Sequence, residues 1–356
     1  MRFADNRNKI GKYIPAVVFL IFIYGMALWF VFSPKPNYSS SEKRYLQKFP
    51  EVTAEKLLSG DFGSEFETFF ADRFPQRNTW VGLNAYTALA EGNNGASGVY
   101  NCKNGYLINK PVSTENNLDK NIGAVADFAK SIDTPTTVML VPSTGYIVDD
   151  VLPTFHDKYN DDEDISKISS TLSKDKIGFV DLRERFKSEY KNGSQLYYKT
   201  DHHWTTKGAY TGYQELCKAL GITPIDDSTL KKDSYPDFYG TTYSSSGFWL
   251  TPPDNIEIWN NPKNSDRNIS VKITEGANIK TSGSMYFTDH LKEDDKYPVF
   301  IDGNHALTEI TNTNAKNGTI LLIKDSFSHS LAPFLAENYS KVVLVDLRYY
   351  KESVSD

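Results

Sequence analysis

The most constraining feature of the sequence is an uncharged apolar run near its start. The run from Ile14 to Phe32 holds 19 residues without one charged side chain. A helix of this length, rising about 1.5 Å per residue, can cross the hydrocarbon core of a bilayer. Four basic residues precede it, namely Arg2, Arg7, Lys9 and Lys12. We expect residues 1–12 to form a cytoplasmic tail, residues 13–33 a single transmembrane anchor, and the remainder to lie on the extracytoplasmic face.

A cleaved signal peptide is the alternative interpretation of this run. Its apolar segment would be shorter and would end in a small-x-small cleavage site. Here Trp29-Phe30-Val31-Phe32 leads directly into Ser33-Pro34-Lys35-Pro36. The sequence therefore favours a retained anchor.

The amino-acid composition limits the kinds of partner that this chain is expected to bind. Of the 356 residues, 39 are Lys or Arg and 45 are Asp or Glu, so the formal net charge is −6. Nucleic-acid binding needs clustered basic side chains, and this balance argues against it. Cys102 and Cys217 are too few for a disulfide scaffold and lack the close spacing of a zinc site, so neither cross-links nor a structural metal is implied. We expect no cofactor and no metal in the site. The 22 Tyr and 21 Phe residues suit sugar contacts, and they suit a large core equally well.

Two segments follow the predicted anchor. Residues 34–96 are polar and mostly helical in pattern, with phenylalanines near one helical face at Phe62, Phe66, Phe69 and Phe70. We expect this segment to form a stalk that packs on the main domain. In residues 97–356 short apolar runs alternate with polar helical stretches, which is typical of an α/β domain.

The pattern predicts individual elements of the α/β domain. The expected strands are Thr136–Val141, Ile177–Leu182, Tyr297–Ile301, Thr319–Ile323 and Lys341–Val345. The expected helices are Leu118–Ile132, Thr206–Leu220 and Ser328–Tyr339. Residues 232–296 show little periodicity, and we expect an elaborated loop insertion that builds a binding surface. The acidic run Asp161-Asp162-Glu163-Asp164 is most simply a solvated loop.

An aspartate and two histidines stand together in the run Asp201-His202-His203-Trp204, just before a predicted helix. In an extended segment residues two apart share a face, so Asp201 is expected to lie beside His203. A carboxylate in that position fixes the tautomer of the imidazole and stabilises it after it takes a proton. The run therefore suits a general base with its orienting acid.

Two other interpretations of this run stay open. A histidine pair packed in a loop by hydrogen bonds would give the same sequence. A metal site is a weaker alternative, with Asp201 and one neighbouring histidine as ligands and His305 or His329 brought in by the fold.

A serine lies at a predicted strand-to-helix turn, in the run Lys324-Asp325-Ser326-Phe327. Amides at the start of the following helix could stabilise an oxyanion beside Ser326. A serine at a helix start is also an ordinary cap. Pairing it with His203 and Asp201 favours a nucleophile, because all three follow elements of an α/β sheet, where such sites form.

A third segment, Asp302-Gly303-Asn304, also ends a predicted strand. The Gly303 amide and the Asn304 side chain could donate further hydrogen bonds to an oxyanion. A plain tight turn explains these residues as well.

These runs support a family comparison. Asp201-His202-His203-Trp204, Lys324-Asp325-Ser326-Phe327 and Asp346-Leu347-Arg348-Tyr349-Tyr350 resemble the motifs of the bacterial DHHW protein family, which is similar to the SGNH-hydrolase-like alginate O-acetylation proteins. Further matching runs are Phe66-Glu67, Asp72-Arg73-Phe74-Pro75-Gln76-Arg77, Gly98-Val99, Asn104-Gly105-Tyr106-Leu107-Ile108, Val141-Pro142-Ser143 and Asp237-Phe238-Tyr239-Gly240-Thr241. The resemblance implies an α/β, SGNH-hydrolase-like three-layer sandwich with reversed motif order, the Asp-x-His segment preceding the Asp-Ser segment.

The resemblance also implies an activity. It is that of an O-acyltransferase, usually for acetyl, which modifies an exported or cell-envelope polysaccharide through an acyl-serine. Carried over residue by residue, Ser326 is the nucleophile, His203 the base and Asp201 its partner. A membrane-bound O-acyltransferase is the expected acyl donor.

Other site residues are expected around this triad. Gly303 and Asn304 are candidates for the oxyanion, and Trp204 and Tyr239 are candidates for substrate contact. Sugar recognition would come from the Tyr-rich region at residues 232–296.

Other functions remain open on the same residues. A carbohydrate esterase would use the same triad and differ only in accepting water, although an anchor near a membrane donor favours the transferase. A non-catalytic polysaccharide-binding or assembly protein would keep the aromatic surface and not use the triad. Transfer of D-alanine to teichoic acid is less favoured, because that polymer is anionic and the exported part of this chain is acidic.

Overall fold

The N-terminal apolar run forms one long helix, α1 (Arg2–Phe32), which contains Pro15. The computed structural model describes residues 2–112 and 117–354. Within this part of the chain, α1 is the one helix long and apolar enough to cross a membrane, over Lys12–Phe32. A signal sequence near an N-terminus meets the same criteria. Contacts divide the chain into two units, Met1–Asn84 and Ala85–Asp356.

In the first unit, buried charged side chains hold the segments together. After α1 come β1 (Tyr38–Ser39), β2 (Arg44–Tyr45), α2 (Ala54–Ser59), α3 (Asp61–Asp72) and α4 (Arg77–Ala90), which runs on into the second unit. The Asp72 carboxylate is buried and accepts hydrogen bonds from the Arg44 guanidinium at 3.0 and 2.5 Å and from the Gln47 amide at 2.8 Å. Arg73 donates to the Gln47 carbonyl at 3.0 Å. These bonds hold the segment after α1 against the end of α3.

The second unit is a mixed α/β fold. Its strands are β3 (Gly95–Ala96), β4 (Val99–Asn101), β5 (Leu107–Asn109), β6 (Thr137–Leu140), β7 (Gly178–Asp181), β8 (Lys231–Phe238), β9 (Asp254–Asn260), β10 (Ile269–Glu275), β11 (Asn278–Ser282), β12 (Leu307–Asn312), β13 (Asn317–Ile323) and β14 (Tyr339–Val345). Its helices after α4 are α5 (Leu118–Ser131), α6 (Thr144–Ile147), α7 (Asp161–Lys174), α8 (Arg183–Lys191), α9 (Thr206–Leu220), α10 (Thr241–Ser246) and α11 (Ser328–Asn338).

The largest sheet has five strands in the order β11-β10-β12-β14-β13. Its pairs are antiparallel except β13 with β14, which is parallel, with Thr319 opposite Lys341. Smaller sheets join β3, β4 and β5, the parallel pair β6 and β7, and the antiparallel pair β8 and β9. The α/β class is confirmed at this level, and the three-layer arrangement stays a prediction.

Helix α11 links the two parallel strands of the large sheet and is the centre of the core. All side chains of α11 from His329 to Ala336 are buried. The Phe334 ring lies 5.6 Å from the Tyr213 ring of α9, centroid to centroid. Burying a side chain of this size stabilises the fold by about 2 kcal/mol. This packing fixes the turn between β13 and α11, where Ser326 lies.

Most predicted elements of the α/β domain are confirmed to within two residues at either end. The predicted strand Tyr297–Ile301 is wrong, because Tyr297–Val299 forms a 3₁₀ turn instead. Pro298 lies in its middle and has no N–H to donate to a sheet. Phe300 makes only a single bridge, to Tyr286.

The predicted loop insertion at residues 232–296 is wrong too. Most of β8 and all of β9, β10 and β11 lie in it, and β10 is an inner strand of the largest sheet. In β10 the buried residues Ile269, Val271 and Ile273 alternate with exposed ones, the period-two pattern of a strand with one face buried. That signal spans only seven residues between polar turns and is easily missed.

The acidic run at residues 161–164 is not a loop but the first turn of α7. Carboxylates are favoured there by the partial positive charge of a helix N-terminus. Asp161 is buried and accepts the Ser143 amide at 2.6 Å. The run therefore has a structural explanation.

Candidate active site

The Asp201–His203 segment is held on both sides by hydrogen bonds. Before it, the buried Asp254 carboxylate accepts the Lys199 amide at 3.0 Å and the Thr200 amide and hydroxyl at 2.8 and 2.7 Å. After it, the Thr205 hydroxyl caps α9 by accepting the Gly208 amide at 3.1 Å. The segment therefore enters the site with a fixed backbone.

The Asp201 carboxylate is 2% exposed and has a partner on each oxygen. Its Oδ1 lies 2.5 Å from Nδ1 of His203 and also accepts the His203 amide at 2.8 Å. Its Oδ2 accepts the amide and the hydroxyl of Thr241 at 2.7 and 3.1 Å. Burial by itself raises the pKa of Asp201, but the charge of His203 and their hydrogen bond outweigh it and hold that pKa well below its usual range.

Gly240 permits this close approach. A Cβ on Gly240 would lie 2.1 Å from Cβ of Asp201, a distance that no side chain tolerates. The following residue, Thr241, can therefore bring its amide and hydroxyl onto Asp201.

Ser326 bonds to the other ring nitrogen of His203. It lies in the turn between β13 and α11, and its Oγ is 2.7 Å from Nε2 of His203. Because Nδ1–H of His203 donates to Asp201, Nε2 is the nitrogen that accepts the serine hydroxyl. The three side chains thus form a continuous chain of hydrogen bonds, Ser326 to His203 to Asp201.

Besides the adjacent His202 ring, 3.8 Å away between centroids, two aromatic rings contact His203. The Tyr297 ring stacks on it at 3.9 Å with 10° between the planes, and the Phe327 ring lies 5.0 Å away, centroid to centroid. The Tyr297 hydroxyl donates to the Ser326 carbonyl at 3.3 Å, so the same tyrosine contacts His203 and the turn between β13 and α11, here called the serine turn. Burial raises the pKa of Tyr297 well above its usual value, which keeps the hydroxyl neutral.

A second charged network lies beneath the serine turn. Lys324 Nζ donates to Asp346 Oδ2 at 3.0 Å and to His329 Nε2 at 2.7 Å. Arg348 donates to both oxygens of Asp346, at 2.9 and 2.6 Å. The side chains of Lys324 and Asp346 are 2% and 1% exposed. This buried ion pair ties the end of β13 to the segment after β14, on either side of Ser326 in the sequence.

The structure places the other predicted site residues differently. Trp204 is fully buried and donates from Nε1 to the Phe327 carbonyl at 3.0 Å and to Ser330 Oγ at 2.9 Å, so its place is in the core and not on a substrate surface. Tyr239 is half-buried, with its ring 4.3 Å from that of Tyr243.

The Gly303 amide and the Asn304 side-chain oxygen both have hydrogen-bond partners within the protein. The Gly303 amide donates to the Phe300 carbonyl at 3.1 Å, which closes a turn with a left-handed glycine. The Asn304 side-chain oxygen accepts from Arg348 at 2.9 Å. The Gly303 amide is therefore taken up by a tight turn, whereas the role of the Asn304 side-chain amide as a donor stays a prediction.

Residues that the sequence analysis missed are Tyr297, Thr241 and Asp254. Thr241 belongs to a run that the family comparison had already matched, so a signal existed for it. Tyr297 lay in a segment assigned to a strand, and Asp254 in one assigned to a loop. Neither carries a local pattern that points to partners 29 residues away, for Tyr297 and Ser326, or 54 residues away, for Asp254 and Thr200.

The metal interpretation fits these hydrogen bonds poorly. Ligand atoms of Asp201, His202 and His203 lie within 4.8 Å of one another. However, both ring nitrogens of His203 and both oxygens of Asp201 have protein partners, and His202 Nδ1 lies 2.5 Å from the Thr241 hydroxyl. His305 bonds to Glu275 at 2.7 Å, and His329 faces Lys324. A bound cation would have to break these contacts.

An α/β unit that aligns a serine, a histidine and a buried aspartate has the arrangement found in serine-dependent hydrolases and acyltransferases. The chain belongs to the DHHW protein family, whose model matches residues 112–345. No curated protein matches the sequence.

Solved structures share the fold. A DHHW family protein from Eubacterium siraeum DSM 15702 is 19% identical, with 73% of this chain and 86% of that chain covered and a TM-score of 0.60. Bacillus cereus PatB1, in a structure with a sulfonyl adduct, is 20% identical, with coverage of 72% and 87% and a TM-score of 0.58. The O-acetyltransferase domain of Pseudomonas putida AlgJ is more distant, at 14% identity, coverage of 68% and 78% and a TM-score of 0.42, which does not by itself define a common fold.

Proposed function

We propose that this protein is a membrane-anchored O-acyltransferase that transfers an acyl group, acetyl in the first instance, to hydroxyls of an exported or cell-envelope polysaccharide. The observation that carries the proposal is the hydrogen-bonded series from Asp201 through His203 to Ser326. Membership of the DHHW family supports it. So does the sulfonyl adduct on PatB1, because sulfonyl groups attach to nucleophilic side chains.

The first half-reaction acylates the serine. His203 Nε2 takes the hydroxyl proton as Ser326 Oγ attacks the acyl carbonyl, and the bond from that carbon to the donor's leaving group breaks. The leaving group takes the proton back from His203. The ionised Asp201 stabilises the imidazolium that exists between these two proton transfers.

The second half-reaction moves the acyl group to the sugar. A sugar hydroxyl gives its proton to His203 and attacks the acyl-serine, and the bond between Ser326 Oγ and the acyl carbon breaks as His203 returns the proton to the serine. We assign the oxyanion to the Ser326 amide, at the start of α11, where the backbone amides of a helix favour negative charge.

The membrane is part of the proposal. In it, α1 spans the bilayer with its N-terminus in the cytoplasm, residues 34–96 form a stalk, and residues 97–356 work on the extracytoplasmic face. A membrane-bound O-acyltransferase supplies the acyl group. Tethering keeps the enzyme near that donor.

The test is covalent capture of the intermediate. The full-length protein in detergent is incubated with an activated acetyl ester and analysed by intact-mass and peptide mass spectrometry, beside Ser326→Ala. We expect an acetyl adduct on Ser326 that is absent from the variant and is removed faster by oligosaccharide than by water. Removal by water alone would make the protein an esterase, and no adduct on folded protein would favour a binding or assembly role.

A cellular measurement complements the capture. Cells that carry Ser326→Ala or His203→Ala should keep the polymer and lose its bound acetate. Unchanged acetate in both variants would contradict the proposal.

A further inference from the structure

The first unit exposes a connected group of aromatic rings, here called the aromatic patch: Phe30, Phe49, Phe62, Phe66, Phe69 and Phe70. Phe49, Phe66 and Phe70 are 57%, 39% and 41% exposed. Four members, at positions 62, 66, 69 and 70, follow the i, i+4, i+7, i+8 spacing of one face of α3. An exposed apolar face of this kind usually meets a partner or a lipid surface.

The patch is continuous with the apolar helix. The Phe30 ring, in the last turn of α1, lies 4.7 Å from the Phe70 ring and 6.3 Å from the Phe69 ring, centroid to centroid. From Phe69 the contacts run to Phe49 at 5.4 Å, and from Phe66 to Phe62 at 6.1 Å. Rings therefore connect α1 to the exposed face of α3 without a break.

The contact between Phe30 and Phe70 places α3 close to one end of the apolar span of α1. Phe30 is two residues from Phe32, where the apolar span ends, or about 3 Å along the helix axis. If α1 crosses a bilayer, a ring against Phe30 lies at the boundary between acyl chains and headgroups. Aromatic side chains concentrate at that boundary, and amphipathic helices lie along it.

The opposite side of α3 is polar. Ser64 and Thr68 are exposed there, and the Thr68 hydroxyl donates to the Ser64 carbonyl at 3.0 Å. The helix thus has one face for lipid and one for water.

We propose that α3 is an interfacial helix whose aromatic patch inserts into the headgroup layer of the membrane that α1 crosses. The inference rests on the anchoring by α1 proposed above. The occupant of the patch is the lipid surface, because the patch is continuous with the one segment, among the described residues, that suits a bilayer. The chain is then attached at two places, through α1 and alongside it.

The experiment places probes on the two faces of α3 in the full-length protein reconstituted into phosphatidylcholine vesicles. Cys102 and Cys217 are buried, so a thiol-reactive environment-sensitive fluorophore labels an introduced cysteine selectively. Phe66→Cys carries it on the aromatic face, and Thr68→Cys is the matched control on the polar face. The vesicles contain lipid with a nitroxide near the headgroup.

We expect quenching at position 66 to exceed that at position 68 by at least about threefold, as for a helix lying in the interface. Phe70→Cys should repeat the result, so that one badly folded variant does not decide it. Equal quenching on both faces would overturn the inference. So would quenching at position 66 that depends on the protein-to-lipid ratio, which would identify a second copy of the chain as the occupant.

A third probe separates this inference from the anchor. Phe22→Cys lies in the middle of the apolar span, and a nitroxide deep in the acyl chains should quench it. Deep quenching at position 22 without a difference between positions 66 and 68 would reject the interfacial helix and keep the anchor. No deep quenching would reject both, and neither result bears on the acetyl adduct at Ser326.

Discussion

Two buried histidines contact the serine turn, and they have partners of opposite charge. His203 donates to the Asp201 carboxylate and accepts from Ser326, whereas His329 accepts from the Lys324 ammonium. A carboxylate partner stabilises the protonated imidazole, and an ammonium partner opposes it. Burial and then Lys324 lower the pKa of His329 well below its usual value. The same residue type is thus suited to be a base in one place and a neutral hydrogen-bond acceptor in the other.

The two carboxylates of these networks differ in the same way. Asp201 faces His203, which gains and loses a proton in the proposed reaction, while Asp346 accepts hydrogen bonds from Lys324 and Arg348. Burial raises the pKa of Asp346, but the hydrogen bonds from Arg348 and Lys324 outweigh it and bring that pKa well below its usual range. The comparison predicts that the Asp201 network acts in catalysis and that the Asp346 network stabilises the fold.

Replacing the two histidines should have the largest effect and the largest contrast. His203→Gln removes the base, and we expect acylation of Ser326 by an activated acetyl ester to slow about 10,000-fold. In His329→Gln the amide oxygen can still accept from Lys324, so the rate should change less than about tenfold. Stopped-flow or mass-spectrometric acylation rates measure both. Similar losses in the two variants would break the comparison.

Replacing the two carboxylates should have the next largest effect. Asp201→Asn keeps the shape but no longer fixes the tautomer of His203, and acylation should fall about 1,000-fold. Asp346→Asn leaves Lys324 buried beside an uncharged partner, and urea unfolding should show a loss of about 3 kcal/mol. The folded fraction of Asp346→Asn should still acylate within about tenfold of the wild-type rate. A stable but inactive Asp346→Asn would place that residue in the chemistry instead.

The smallest expected effect is a pH dependence of stability. In the unfolded chain His329 takes up a proton as the pH falls through about 6.5, whereas in the folded protein it stays neutral to a much lower pH. The unfolded state therefore binds more protons below pH 6.5, and stability should fall there by about 1.4 kcal/mol per pH unit for this one group.

Urea midpoints at pH 7.5, 6.5 and 5.5 measure this slope, and His329→Gln is the control. Burial and then His203 lower the pKa of His202, so a slope of the same sign from His202 should persist in the variant. An unchanged slope in His329→Gln would show that its titration does not contribute.

The pairing within each local run was accessible before the fold was known. Asp201 and His203 are two residues apart, and the structure has their side chains 2.5 Å apart, although residues 199–203 form a bend and not the extended segment that the sequence predicted. The helix α9 begins at Thr206 as predicted, and the strand and helix around Ser326 lie within two residues of the predicted bounds. Short-range geometry of this kind depends on a few backbone angles, which local sequence largely specifies.

The wrong assignments share a cause. Tyr297–Val299 and the strands between residues 232 and 296 are short, and each is decided by what packs against it. The short segment of alternating apolar residues in β10 forms a strand because β11 and β12 pair with it on either side. Strand pairing joins residues distant in sequence, so a local window does not contain it.

The sequence by itself determined the apolar helix, the α/β class, the family motifs and the residue types available for chemistry. Only the tertiary structure decided that Ser326 Oγ lies 2.7 Å from a histidine 123 residues away, that Tyr297 stacks on that histidine, and that Lys324 meets Asp346 below the serine turn. Local propensity acts over one turn or one strand, whereas a site of this kind depends on the close packing of elements that the chain brings together from far apart.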